Sequence, residues 1–222
     1  MAEKLEFYDI LGILVPGVLL IYLFLICFPE TGAAVHPKMS DALNAIGFTA
    51  TAIFVGQIVQ AIASLLEGVL YWTWGGRPSE RALSSGLGNR YLPEQSAKRI
   101  RAKLKKAIGE HCTDRDLFLY AMQRAETAGS QRVTKFNALF AYHRALVVFC
   151  FVALAFVLSS AWLGAVAALP AWKAGSAVVA ALALLVLVWH RTRQRAFYYV
   201  REVLLTAERV IDTPAAAPPK SP

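Results

Sequence analysis

The sequence contains few charged residues for its length. Only 17% of its 222 residues are Asp, Glu, Lys or Arg, whereas 57% are hydrophobic. A soluble domain of this size does not bury so much apolar surface in one core. The hydrophobic residues also form long uninterrupted runs, as a hydrocarbon layer about 30 Å thick requires of a spanning helix. The composition therefore indicates an integral membrane protein.

Cysteine is scarce as well. The three cysteines, Cys27, Cys112 and Cys150, are scattered, and two of them lie within hydrophobic runs, so the sequence does not predict a disulfide framework. His111 beside Cys112 is the one adjacent His and Cys pair, whereas a structural zinc site needs four ligands at characteristic spacing. We expect no metal and no cofactor.

Signatures of catalysis are missing too. The sequence has no glycine-rich phosphate loop, HExxH, GxSxG or CxxC motif and no paired catalytic carboxylates. The four histidines lie in different segments with no nucleophile near them to activate: His36, His111, His143 and His190. An intramembrane enzyme would need catalytic groups that face one another, so the sequence predicts a protein that is not an enzyme.

What the sequence does contain is four hydrophobic runs. They predict an all-α, polytopic membrane protein with two transmembrane helices in residues 1–74, at about 10–28 and 43–66, and two more in residues 145–189. The residues before the first run include Glu3, Glu6 and Asp9, whereas a secretory signal is basic there. The first run is therefore expected to be a retained span.

The chain between the second and third spans is polar. Residues 75–144 are predicted to form a basic, helical cytoplasmic module, with one helix carrying the apolar stripe Ile100, Leu104 and Ile108. Thr113 and Asp116 have the spacing of a capping box and predict the start of a second helix that ends before Gly129. A third helix is predicted from Gln131 directly into the third span.

The chain after the fourth span divides into two parts. Residues 190–211 keep a helical apolar stripe and are predicted to extend the span as a cytoplasmic amphipathic helix. Residues 212–222 are rich in Ala and Pro and are predicted to be a disordered tail.

Charge asymmetry predicts the orientation. Residues 77–135 contain thirteen Lys or Arg and six Asp or Glu, whereas residues 29–43 contain one Lys and two acidic residues. The positive-inside rule places the basic segment in the cytoplasm. With an even number of spans, both termini are expected on the cytoplasmic side of a cell inner membrane.

Four polar residues interrupt the second apolar run. They lie at positions i, i+3, i+7 and i+10 of one helical face: Gln57, Gln60, Ser64 and Glu67. Such a stripe can line a pore, a ligand cavity or a subunit interface. It can also hold neighbouring helices together through hydrogen bonds, and we favour this second interpretation because such contacts are common in membrane proteins.

Two basic clusters are candidates for binding an anionic ligand. They are Lys98, Arg99, Arg101, Lys103, Lys105 and Lys106 in the central segment, and Arg191, Arg193 and Arg195 after the fourth span. Their proximity to the spans favours anionic lipid headgroups. Nucleic acid is not favoured, because Tyr91 and Phe118 flank the central cluster without interleaving it.

Two short motifs carry a resemblance to known proteins. The chain has Tyr-Asp-Ile-Leu-Gly-Ile-Leu-Val-Pro-Gly at residues 8–17, and Phe-Asn-Ala-Leu-Phe at 136–140 followed by His143 and Arg144. With the span layout, these motifs resemble a group of small bacterial multi-span membrane proteins of mostly unknown function. Some of that group accompany antiviral defence systems as membrane-acting components. The resemblance implies a bacterial inner-membrane location.

Two functions follow from these patterns. The first is an oligomeric membrane effector or channel-like component that is controlled through its basic cytoplasmic helices. The alternative is a non-catalytic membrane anchor or scaffold that binds anionic lipid or a partner protein. The sequence leaves open a homo-oligomer, a cytoplasmic protein and an anionic small molecule as partners.

Overall fold

The computed structural model describes residues 7–27, 41–162 and 171–212, in which every extended regular element is an α-helix. An isolated bridge between Gly88 and Leu92 is the one β-type pairing in these ranges. The predicted all-α fold class is therefore confirmed for the described residues. The predicted disordered tail, residues 212–222, lies outside them except for its first residue.

Eight helices follow one another along these ranges. They are α1 (Phe7–Cys27), α2 (Asp41–Leu65), α3 (Glu67–Thr73), α4 (Pro78–Ser84), α5 (Glu94–Ile108), α6 (Asp114–Thr127), α7 (Gln131–Trp162) and α8 (Ala171–Asp212). The chain divides into two compact units. One contains Met1–Gly68 with Ala138–Arg193, and the other contains Val69–Asn137 with Gln194–Pro222.

Three helices are long and apolar enough to cross a membrane, judged by length and composition: α2, α7 over Gln131–Ser159, and α8 over Gly175–Ile211. In α1 the described apolar stretch, Gly12–Cys27, is shorter. Fewer than a quarter of the residues in each long apolar stretch are buried. Most of their apolar side chains therefore face outward, as lipid-facing side chains do.

Two glycines allow α1 and α2 to pack closely in the first unit. A β-carbon on Gly17 would overlap the backbone carbonyl of Ala52, and one on Gly56 would overlap the carbonyl of Ile13. Small residues let transmembrane helices approach until their backbones touch. This contact gives Gly17 of the Pro-Gly pair a packing role in α1.

The second unit is built around one hydrophobic core. Helices α4, α5 and α6, the first turn of α7 and the final part of α8 all contribute to it. Its largest fully buried side chains are Leu83, Leu92, Ile100, Leu104, Leu117, Val203 and Leu204. The sequence treated residues 75–144 and 190–211 as separate segments, whereas their apolar faces share this core. Of the predicted stripe in α5, Ile108 remains 38% exposed.

Several predicted helix boundaries are confirmed. Asp116 N donates to Thr113 Oγ1 (3.3 Å), and Thr113 N donates to the Asp116 carboxylate (3.0 Å), which is the predicted capping box. Helix α6 ends before Gly129, whose φ is 62°. Helix α7 begins at Gln131 and continues without a break into the third apolar run, and α8 likewise continues past the fourth.

The helix of the second apolar run ends close to the predicted bound of the second span at residue 66. Helix α2 ends at Leu65 and the short helix α3 starts at Glu67, whose acidic side chain is favourable at a helix N-terminus. The chain then turns at Gly75 and Gly76, whose φ angles of 77° and 117° suit glycine.

Candidate functional site

Gln60 hydrogen-bonds to the backbones of two neighbouring helices. Its Nε2 donates to the carbonyl oxygen of Gly12 in α1 (2.6 Å) and lies 3.4 Å from that of Ala141 in α7. Gly12 lies four residues before Pro16, which has no N–H to donate to it. The Gln60 amide therefore supplies the hydrogen bond that the proline removes, and it joins three helices of the first unit.

Glu67 and Ser64 meet a basic residue of α7. Arg144 Nη1 lies 2.8 Å from Glu67 Oε2, and Arg144 Nη2 is 3.5 Å from Ser64 Oγ. The guanidinium also lies over the Phe140 ring, 5.3 Å from its centre. The Arg144 side chain is only 14% exposed. A charge that is this buried needs an opposite charge beside it, and Glu67 of the same unit provides it.

Gln57 behaves differently from the other three residues of the stripe. Its side chain is exposed, and among the described residues its amide makes no hydrogen bond. Ser64 is exposed as well, but its hydroxyl donates to Gln60 O in the same helix (3.0 Å). The predicted stripe therefore divides into Gln60, Ser64 and Glu67, which contact other helices, and Gln57, which faces outward.

Sequence reasoning missed one polar contact between α7 and α8. Thr192 is fully buried, and its hydroxyl lies within hydrogen-bonding distance of Val188 O (2.7 Å) and His143 O (3.2 Å). Its position two residues after His190, within a basic stretch, gave no signal of burial. Arg144 was likewise noted only as a member of a motif.

Helix α5 presents three kinds of surface. Ile100 and Leu104 are fully buried in the core of the second unit. On one flank, Arg99 donates from Nε to Glu208 Oε1 (2.8 Å) and from Nη2 to Oε2 (3.3 Å), and Lys103 Nζ lies 3.3 Å from the same carboxylate. The hydrogen bond from Arg99, with support from Lys103, lowers the pKa of Glu208.

The other flank of α5 is also neutralised from within the unit. Arg101 Nη2 lies 2.8 Å from Asp114 Oδ1 at the start of α6. Arg99, Arg101 and Lys103 are therefore bound to acidic residues of the same fold. Sequence reasoning assigned all three to an external anion, because their partners lie far away in the sequence or on the next helix.

Three lysines of α5 lie outside its buried face: Lys98 and Lys106 are exposed, and Lys105 is half-buried. Lys98, Lys105 and Lys106 lie at positions i, i+7 and i+8, and we call them the lysine face. Lys98 is 2.7 Å from Glu94, but both side chains are more than half exposed, so this pair is weak. Within the described residues, Lys105 and Lys106 have no ion pair.

The second predicted basic cluster is less available. Arg191 is exposed, whereas Arg193 and Arg195 are half-buried, and each of the three interacts with other groups of the chain. The lysine face is therefore the better candidate for binding an anionic ligand.

Comparisons with known proteins give no relative for this chain. No protein family, curated protein or solved structure matches it.

Proposed function

We propose that this chain is a non-catalytic membrane anchor or scaffold that crosses a bacterial inner membrane four times and binds anionic lipid through the lysine face of a cytoplasmic helical module. The observation that carries this proposal is the division of charge on α5. Arg99, Arg101 and Lys103 are paired with acidic residues of the same unit. Of the lysine face, Lys98 pairs with the exposed Glu94, and Lys105 and Lys106 have no ion pair within the described residues.

In this proposal α1 also crosses the membrane, in addition to the three long apolar helices α2, α7 and α8. Its 21 residues correspond to about 31 Å of helix rise, close to the roughly 30 Å thickness of the hydrocarbon layer. Tyr22, Phe24 and Ile26 on α1 are exposed, as side chains in contact with lipid would be. Close packing of Gly17 against α2 supports the pairing of the first two spans.

Lysine chemistry favours a lipid surface over a shaped ligand site. Arginine binds carboxylates and phosphates in a fixed two-pronged geometry, and Arg99 already binds Glu208 in this way. Arg101 is paired with Asp114 through one contact. Lysine carries a mobile point charge, which suits the diffuse field of an anionic membrane surface. The sequence position of α5 between spans two and three supports the same ligand.

The contacts in the first unit favour an anchor over a pore. Gln60 and Glu67, which a channel would need in its lumen, are bonded to other helices of the same chain. An oligomeric membrane effector is the second candidate, and the outward Gln57 is the observation that favours it.

Lysine acetylation tests the binding proposal in the full-length protein. In nanodiscs of neutral lipid, Lys98, Lys105 and Lys106 are expected to react freely. Addition of phosphatidylglycerol should slow their modification relative to the exposed Lys135 of the same module, as measured by mass spectrometry. Equal rates in both lipids would contradict lipid binding by this face.

Charge variants provide the matched control. Replacing the three lysines with Gln should reduce the number of phosphatidylglycerol molecules retained in native mass spectrometry, since each basic residue near an anionic surface contributes about 1 kcal/mol. Replacing the exposed Arg77, Arg90 and Arg115 with Gln removes the same charge elsewhere in the module. If both triple variants lose equal amounts of lipid, net charge and not the lysine face determines binding.

A further inference from the structure

One face of α2 is exposed from Leu43 to Gln57, before Gln60 and Ser64 contact α1 and α7. Members of this face recur with the seven-residue spacing of a coiled-coil seam, with Leu43, Ala50 and Gln57 at one heptad position and Ile46 and Ile53 at the other. This spacing suits two helices that cross at a small angle, which is the commonest packing in membrane bundles. The other side of α2 is occupied, because Ala52, Gly56, Val59 and Ala63 are buried.

Gln57 is the unusual member of this face. The predicted second span ends at Leu66, nine residues after Gln57. Nine residues correspond to about 13 Å of helix rise, so Gln57 lies close to the middle of a hydrocarbon layer about 30 Å thick. Its exposed neighbours are apolar, including Ile53, Phe54 and Ile58. An amide that faced lipid here would lose the hydrogen bonds it makes in water.

The other polar residues of α2 avoid this loss. The hydroxyls of Thr49 and Thr51 donate to Ala45 O and Gly47 O of the same helix, both at 2.8 Å. Gln60 donates to α1. Within the described chain, the Gln57 amide makes no such bond. Its partner must therefore come from outside that part of the chain.

We propose that this face of α2 binds the same face of α2 in a second copy of the protein, with the two Gln57 amides hydrogen-bonded to each other. An amide is both donor and acceptor, so two identical amides complement each other. Two copies related by a rotation axis along the membrane normal have parallel α2 helices. Each residue of the seam then lies opposite the same residue of the other copy. The small Ala50 and Ala61 on either side permit close approach. This inference rests on the proposal that α2 spans the membrane.

Single-molecule photobleaching in liposomes, over a series of protein-to-lipid ratios, measures the association of the full-length chain. Wild type is expected to dimerise or to form a larger ring. Gln57→Leu should weaken association by about 3- to 20-fold, the range expected for an interhelical polar contact in a membrane, and Gln57→Asn should retain most of it. Thr51→Val is the matched control, because that hydroxyl is already bonded within α2.

Cysteine cross-linking in native membranes gives a second readout that does not depend on Gln57 itself. In a variant without the three native cysteines, single cysteines at Leu43 and Ala50 should form disulfide-linked dimers under mild oxidation. Cysteines at Thr51 and Ile58, which lie off the seam, should not.

Three results would overturn the inference: a wild type that is monomeric at every lipid ratio, association unchanged by Gln57→Leu, or cross-links to a different protein. Carbonate extraction of the same membranes separates the two proposals. A chain that is extracted refutes the membrane anchor itself, whereas a chain that stays in the membrane as a monomer refutes only the α2 interface.

Discussion

At the scale of single residues, Gln60 and Pro16 act together. The proline removes a helical hydrogen bond from Gly12 O, and Gln60 replaces it from the next helix. The sequence analysis favoured a polar stripe that joins neighbouring helices. It did not identify Gly12 O as the acceptor, because a single sequence does not show which side chain reaches across from another helix.

A double-mutant cycle tests this pairing. Gln60→Leu should destabilise the protein by about 0.6 kcal/mol, and by no more than about 1.7 kcal/mol, the range measured for polar contacts between transmembrane helices. In a Pro16→Ala background, residue 16 can donate to Gly12 O, so Gln60→Leu should cost less. Unfolding in detergent with increasing SDS measures both. Equal costs in the two backgrounds would show that Gln60 does not serve the carbonyl freed by Pro16.

The pairing of Glu208 with Arg99 predicts a dependence on pH. The folded-state pKa of Glu208 lies below its ordinary value of 4.5, so the pair stabilises the module fully above that value and loses its effect as pH falls through the folded-state pKa. Glu208→Gln should therefore lower stability at pH 7 and flatten its decline in acid, as followed by denaturant unfolding. Glu110→Gln, at an exposed position, removes the same charge but keeps the pair of Glu208 with Arg99, and it is the control.

At the scale of elements, the final part of α8 shows where sequence reasoning stops. The apolar stripe predicted for residues 190–211 is present, and Phe197, Val200, Leu204 and Ala207 are all buried. An amphipathic helix can bury such a stripe in a membrane surface or in a protein core, and periodicity alone does not distinguish the two. Contacts with α5 and α6 in one core decide for the second.

Truncating a core residue of α8 should therefore loosen helices that are far away in sequence. Leu204→Ala is expected to cost about 2–5 kcal/mol, because Leu204 is fully buried. The result should be faster tryptic cleavage in α5 of the full-length protein. Leu119→Ala, at a position that is 48% exposed, is the control. Slower or unchanged cleavage after Leu204→Ala would argue against a shared core.

At the scale of the whole molecule, composition and the apolar runs were sufficient to predict long apolar helices and the all-α class of the described residues. The helix ends at Thr113 and Gln131 could also be predicted, because capping and apolar periodicity are local signals. The ion pairs of Arg144 with Glu67 and of Arg99 with Glu208 could not be predicted, because each pair joins residues that are far apart in the chain. The candidate site changed for that reason from six basic residues of α5 to three.

The orientation of the chain in the membrane carries the central claim of a cytoplasmic module on a four-span anchor. Substituted-cysteine labelling with a membrane-impermeant reagent, in a variant without native cysteines, tests it directly. Cysteines at Ala2, Ser85 and Ser130 should react only after the cytoplasmic face is opened, whereas a cysteine at Ser40 should react in intact cells. Labelling of the cysteine at position 85 in intact cells, or labelling of the cysteines at positions 2 and 85 from opposite sides of the membrane, would contradict the account.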